Sequence, residues 1–178
     1  MMRIIFLSLM VLVSGVSTAA AADTQQNPVE ISAATSLEWN RSDKTFIAKD
    51  KVVAKKDTAE IHADRLIARY TGDEGIDVTD LTAEGSVVII SPPYTAYGDR
   101  AVYDVKSGNA ILTGTDLRIT TETERLTAKD RIEYNATEDR LVAVGDAVAV
   151  KEDKTLTAKT LTAFFTKGAD GKKTTQKI

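Results

Sequence analysis

A strand-like unit recurs along this chain at a spacing of about thirty residues. Five segments align on it: Ser36-Leu37-Glu38-Trp39, Arg65-Leu66-Ile67-Ala68, Arg100-Ala101-Val102-Tyr103, Arg131-Ile132-Glu133-Tyr134 and Thr160-Leu161-Thr162-Ala163. Their starts are 29, 35, 31 and 29 residues apart. A second signal follows each of the first four, beginning at Phe46, Leu81, Ala110 and Leu141. One such unit cannot bury its apolar face alone, so a repeat of this period predicts a stacked array.

Within the array the pattern has period two. Leu81-Thr82-Ala83, Leu126-Thr127-Ala128, Leu141-Val142-Ala143 and Leu156-Thr157-Ala158 are examples. Residues i and i+2 of a strand share a face. One face therefore carries Leu, Ala, Ile and Val, and the other Thr, Lys, Arg and Glu, as in an antiparallel sheet with one dry side. No stretch carries an apolar stripe of helical period. Turn residues recur at matching places, such as Lys106-Ser107-Gly108-Asn109 and Asn135-Ala136-Thr137-Glu138-Asp139. Gly85, Gly114 and Gly145 recur inside strands, which predicts bulges where the sheet coils over itself. Pro92-Pro93 marks an edge or a crossing loop.

The ends read differently. Residues 1–22 hold Arg3, an apolar run from Ile4 to Val16 and a small-residue exit at Ala19-Ala20-Ala21-Ala22, which predicts a signal peptide cleaved after Ala22 and export of the mature chain. The apolar run is too short for a membrane span of about 20 residues. Residues 23–30 read as a flexible lead-in, 31–166 as the β domain, and 167–178, with Lys167, Lys172, Lys173 and Lys177, as a basic disordered tail. The chain is mildly acidic, with a formal net charge of −3, which argues against a nucleic-acid partner. It has no cysteine, so neither disulfides nor thiolate metal sites are available.

The dry face is unusual in its alternate alanines: Ala48, Ala63, Ala68, Ala83, Ala128, Ala143, Ala158 and Ala163. Either two sheet faces approach closely, or the interior stays open as an apolar groove. Trp39, Phe46 and Phe165 are the large aromatics expected to join that face. Catalytic and metal chemistry find little support. His62 is the only histidine, which excludes a two-histidine zinc site, and it falls on the wet face. Glu122 and Glu124 share a face, but in what reads as an exposed hairpin tip. Asp64-Arg65, Asp99-Arg100 and Asp130-Arg131 recur at equivalent places, so they read as charge pairing between rungs. No catalytic residue, metal or cofactor is expected.

The units Ile61-His62-Ala63-Asp64-Arg65-Leu66, Leu126-Thr127-Ala128-Lys129-Asp130-Arg131-Ile132-Glu133-Tyr134 and Leu141-Val142-Ala143-Val144-Gly145-Asp146-Ala147-Val148 resemble the OstA-like family, in particular its periplasmic lipopolysaccharide-transport members. The resemblance runs from about Ile31 to Phe165. It implies an all-β, twisted open β-jellyroll of stacked antiparallel repeats. It also implies a non-enzymatic carrier of lipopolysaccharide, which shields lipid A acyl chains in an apolar groove and passes them from the inner membrane to an outer-membrane translocon. The implied partners are related OstA-like domains in the inner-membrane-anchored and outer-membrane components, with head-to-tail self-association by strand addition. The phase of alternation nominates the lipid-facing residues: Leu37, Trp39, Phe46, Leu66, Leu81, Val87, Ile89, Leu112, Leu117, Ile119, Ile132, Leu141 and Val148. The contrasting reading is a structural β-solenoid with a filled core and no ligand.

Overall fold

The structure is a computed structural model that describes residues 29–72, 77–167 and 173–177. The expected signal peptide and most of the expected lead-in lie outside the described residues. The strands follow in order. β1 (Glu30–Ser32) and β2 (Ser36–Asn40) are short, and β3 (Thr45–Lys56), β4 (Ala59–Thr71), β5 (Asp77–Ser91) and β6 (Tyr94–Asp104) are long. Four short strands come next: β7 (Ala110–Thr113), β8 (Leu117–Thr120), β9 (Glu124–Ala128) and β10 (Arg131–Asn135). β11 (Arg140–Lys151), β12 (Lys154–Lys167) and β13 (Lys173–Lys177) complete the set. All pairings are antiparallel, in one thirteen-stranded sheet.

Each long strand is kinked, and the kinks divide the sheet into two leaves. On one side of the kinks the order is β2-β3-β4-β5-β6-β7-β10-β11-β12-β13. On the other it is β1-β3-β4-β5-β6-β8-β9-β11-β12. Inward residues of both leaves form one buried cluster. Two-leaf packing of this kind is the expected β-jellyroll.

Three of the kinks are bulges, two of them at the expected Gly85 and Gly145; Gly114 lies instead in the break between β7 and β8. Register shifts fall between Lys49 and Val52, Glu84 and Val87, and Val144 and Ala147. Two successive residues at each turn left-handed: Asp50 and Lys51 (φ 68° and 46°), Gly85 and Ser86 (76° and 45°), Gly145 and Asp146 (90° and 42°). An aspartate lies at each of these glycines. Asp64, Asp99 and Asp130 lie directly against Gly85, Gly114 and Gly145, where any Cβ would collide with them. Asp130 N–H donates to Val144 O (3.0 Å), Lys129 N–H to Gly145 O (2.7 Å), and Thr115 N–H to the Asp99 carboxylate (2.7 Å). In the first repeat the roles are exchanged: the bulge residue is Asp50, and its carboxylate accepts from Thr35 Oγ1 (3.0 Å). Asparagine and aspartate tolerate the left-handed region better than other side chains, which permits the exchange.

The recurring Asp-Arg pairs therefore need correcting. Among the described residues, the salt bridges of these pairs are made by the arginines. Arg65 and Arg100 both reach Glu84 across the outer face (3.1 and 3.7 Å), and Arg131 pairs with Glu133 on its own strand. The aspartates instead hold the bulges.

The tail reading is also corrected in part. Residues 173–177 form β13, paired to Phe164–Lys167 of β12. Lysine content suggests solvation, but lysine is also the usual residue for blunting a sheet edge, and the β-branched Thr174 and Thr175 favour a strand. Pro92-Pro93 forms the turn between β5 and β6.

At the first edge, aromatic side chains close the end of the inner face. Trp39 stacks on Phe46 (centroids 5.4 Å apart), and Phe46 packs on Tyr70 (5.1 Å). Trp39 Nε1–H donates to Tyr70 Oη (2.7 Å), and the Arg41 guanidinium lies over the indole at 4.3 Å. Tyr70 is buried, so the loss of that acceptor is felt. Tyr70→Phe is expected to cost about 1 kcal/mol in urea unfolding and to shift Trp39 fluorescence.

Candidate functional site: an apolar groove with a charged lip

Half of the buried apolar side chains among the described residues are alanines, and their effect differs along the sheet. Around the bulges of β3 to β6 the leaves close. Leu66, Val87 and Leu117 are 1–2 % exposed there, among Ala48, Ala63, Ala68 and Ala83. Toward β7–β12 the leaves diverge and leave a cavity of about 650 Å³. That volume lies within the range of about 300–1,000 Å³ typical of ligand sites. Both readings of the alanine stripe hold, in different places.

Of the residues nominated by alternation, Ile89, Leu112, Ile119, Ile132 and Leu141 line this groove. Leu66, Leu81, Val87 and Leu117 share its face but are sealed in the closed part. Phe46 is half-buried against the core. Leu37 and Trp39 lie opposite Ala48 and Phe46, so they continue the same face at the far end, where they are 55 % and 49 % exposed. Val148 is a correction: it pairs with Thr127 and Thr157 on the outer face, and Ala147 takes the inward place at 0 % exposure. The bulge on β11 puts three residue steps between paired Val144 and Ala147, against two between Thr160 and Ala158 on β12. Alternation thus runs unbroken through β11. The change of phase falls on β12, where Leu161 and Ala158 both face inward.

Alternation did not nominate several groove residues. Leu126, Leu156 and Leu161 belong to repeats whose Leu-x-Ala pattern is plain in the sequence, and Phe165 is one of the aromatics expected on this face. Tyr94 follows the Pro-Pro turn, and nothing in its local pattern signals a groove. It comes from one leaf and Phe165 from the other, and their rings meet edge to face at 5.8 Å.

The lip carries the charge. The inward phase of β11 runs Ala147, Ala149, Lys151; that of β9 ends at Glu124; that of β12 begins Lys154, Leu156. Lys151 stands opposite Glu124 on one side and Lys154 on the other, and all three line the groove. Lys151 Nζ meets Glu124 Oε1 at 2.5 Å, and that hydrogen bond, with the charge behind it, holds the ammonium pKa above its ordinary value. No group of three potential metal ligands occurs among the described residues. His62 lies on the outer face, its Nε2 3.0 Å from Glu60 Oε2.

The described residues thus form a two-leaf β-jellyroll whose leaves border a mostly apolar groove. Family comparison narrows this. The model of the LptA/(LptD N-terminal domain) LPS transport protein family matches residues 30–140, and the chain belongs to that family. Among solved structures, it is similar to LptH from Pseudomonas aeruginosa, described as the LptA homologous periplasmic component of the conserved lipopolysaccharide transport device. The match has a TM-score of 0.58 at 15 % identity and covers 67 % of this chain and 83 % of that one, a likeness of fold. No curated protein matches the chain.

Proposed function

We propose that this protein is a periplasmic lipopolysaccharide carrier that shields lipid A acyl chains in the groove between its leaves and passes them from the inner membrane toward an outer-membrane translocon. Membership of a lipopolysaccharide-transport family supports the substrate. The observation that carries the mode of binding is the groove: about 650 Å³ walled by Leu112, Leu126, Ile132, Leu156 and Phe165. Each methylene moved there from water contributes about 0.8 kcal/mol. A multi-chain lipid is therefore held by area alone, with no catalytic group and no cofactor. A filled-core solenoid has no such space.

The sheet edges suit assembly with related domains and with further copies of this chain. Among the described residues, β1 and β2 each pair on one side, with β3. At the other end β13 pairs with the Phe164–Lys167 part of β12, and among the described residues no strand pairs with the outer edge of Lys154–Ala158. Exposed edges of this kind take added strands.

The test is binding of photo-crosslinkable lipopolysaccharide to the protein lacking residues 1–22, competed with phospholipid. Saturable binding that phospholipid displaces poorly is expected. A folded protein that takes up no lipopolysaccharide overturns the carrier.

A further inference from the structure

The lip of the groove contains an arrangement that the apolar lining does not explain. Lys151 and Lys154 are direct cross-strand partners on the inward face of the hairpin that ends β11 and begins β12. Like charges placed opposite one another destabilise a ladder. Glu124 answers the pair most directly, bonding Lys151 at 2.5 Å, and Glu152 adds a weaker charge interaction with the same lysine. Glu152 and Asp153 form the turn beyond, and neither is part of the groove lining. The charged groups that line the groove at this lip are thus Lys151, Lys154 and Arg125 against the carboxylate of Glu124. Directly beneath the lip lie Leu126, Ala149 and Leu156.

Two positive charges bordering an apolar trough match an amphiphile whose headgroup is anionic. We infer that Lys151 and Lys154 form a headgroup subsite that takes a phosphate of the bound glycolipid at the groove lip, with its acyl chains running inward past Leu156 and Leu126. The inference rests on the carrier reading and adds an orientation to it. Phosphate in this place offsets the repulsion between the lysines and leaves Glu124 paired. Lys154, which has the anion as its counter-charge, is the more informative position, because replacing it leaves the Glu124–Lys151 bond in place.

The experiment measures Kd for bisphosphorylated lipid A and for the same lipid A stripped of both phosphates. Wild type, Lys154→Gln and Lys151→Gln/Lys154→Gln are compared, each checked for an unchanged unfolding midpoint. Wild type is expected to prefer the bisphosphorylated form. Lys154→Gln should narrow that preference about tenfold, and the double variant should narrow it further. Inorganic phosphate at millimolar concentration should compete weakly, because the apolar chains supply most of the affinity. An unchanged preference in both variants overturns the subsite and leaves the carrier standing. So does displacement of the lipid by inorganic phosphate alone, which would mark the lip as a free-anion site. A wild-type protein that binds neither lipid overturns both readings.

Discussion

Gly145→Ala is expected to destabilise the fold by about 2–4 kcal/mol, from a strained backbone and a steric collision acting together. Gly145 has φ 90°, a conformation that residues with a Cβ rarely adopt. A Cβ built there lies 2.5 Å from Asp130 Cγ and Oδ2 and 2.8 Å from Asp130 N. Asp130 cannot retreat freely, because its N–H donates to Val144 O across the kink (3.0 Å). The neighbouring Asp146 carries a side chain at φ 42°, within reach of the ordinary left-handed region. Position 145 differs in both angle and space. The urea midpoint of the variant gives the cost. Adding Asp130→Gly removes the side-chain part of the collision but not the backbone strain, so it should restore about half of the loss. A Gly145→Ala protein within about 0.5 kcal/mol of wild type would mean that the kink does not depend on the aspartate-glycine contact.

The same feature explains what could be read from the sequence and what could not. Leu-x-Ala alternation marks the strands, because each leaf has one dry face, and the recurrent Gly85, Gly114 and Gly145 mark the places where the leaves fold over. Alternation cannot say on which strand a bulge resets the phase. That depends on which partner holds the extra residue, a property of the pair. Val148 was therefore assigned inward when it faces out, while Ala158 and Leu161 both face in. Local pattern is equally silent about the distance between leaves. Leu66 and Leu141 have nearly the same neighbours in sequence, Asp-Arg-Leu-Ile-Ala and Asp-Arg-Leu-Val-Ala. One is sealed among alanines at 1 % exposure, and the other, at 8 %, borders the groove. The aspartates of the Asp-Arg pairs are legible only in three dimensions, since their partners are glycines distant in sequence.

Those differences decide which substitution tests the groove. A charge at Leu112 or Ile132 is a poor probe, because these side chains are 5 % and 3 % exposed and an unpaired charge there would unfold the sheet. Leu156 is 48 % exposed yet lines the groove, so the free protein tolerates a polar group at that place. Leu156→Asp should change stability by about 0.5 kcal/mol or less. Its effect on binding should be far larger. The variant removes a leucine surface that the acyl chains would cover, about 1.5–3 kcal/mol if the burial is complete. It also places a carboxylate against hydrocarbon, on the path of an anionic lipid. Together these predict a loss of lipopolysaccharide affinity of about thirtyfold or more. Leu37→Asp is the matched control: it lies on the same face but in the exposed far end, 55 % exposed and outside the cavity. If the acyl chains occupy the cavity alone, only Leu156→Asp loses binding. If both variants lose it equally, the lipid track runs the whole length of the inner face, past the aromatic cluster at Trp39. A folded Leu156→Asp protein that binds as wild type places the lipid elsewhere on the molecule.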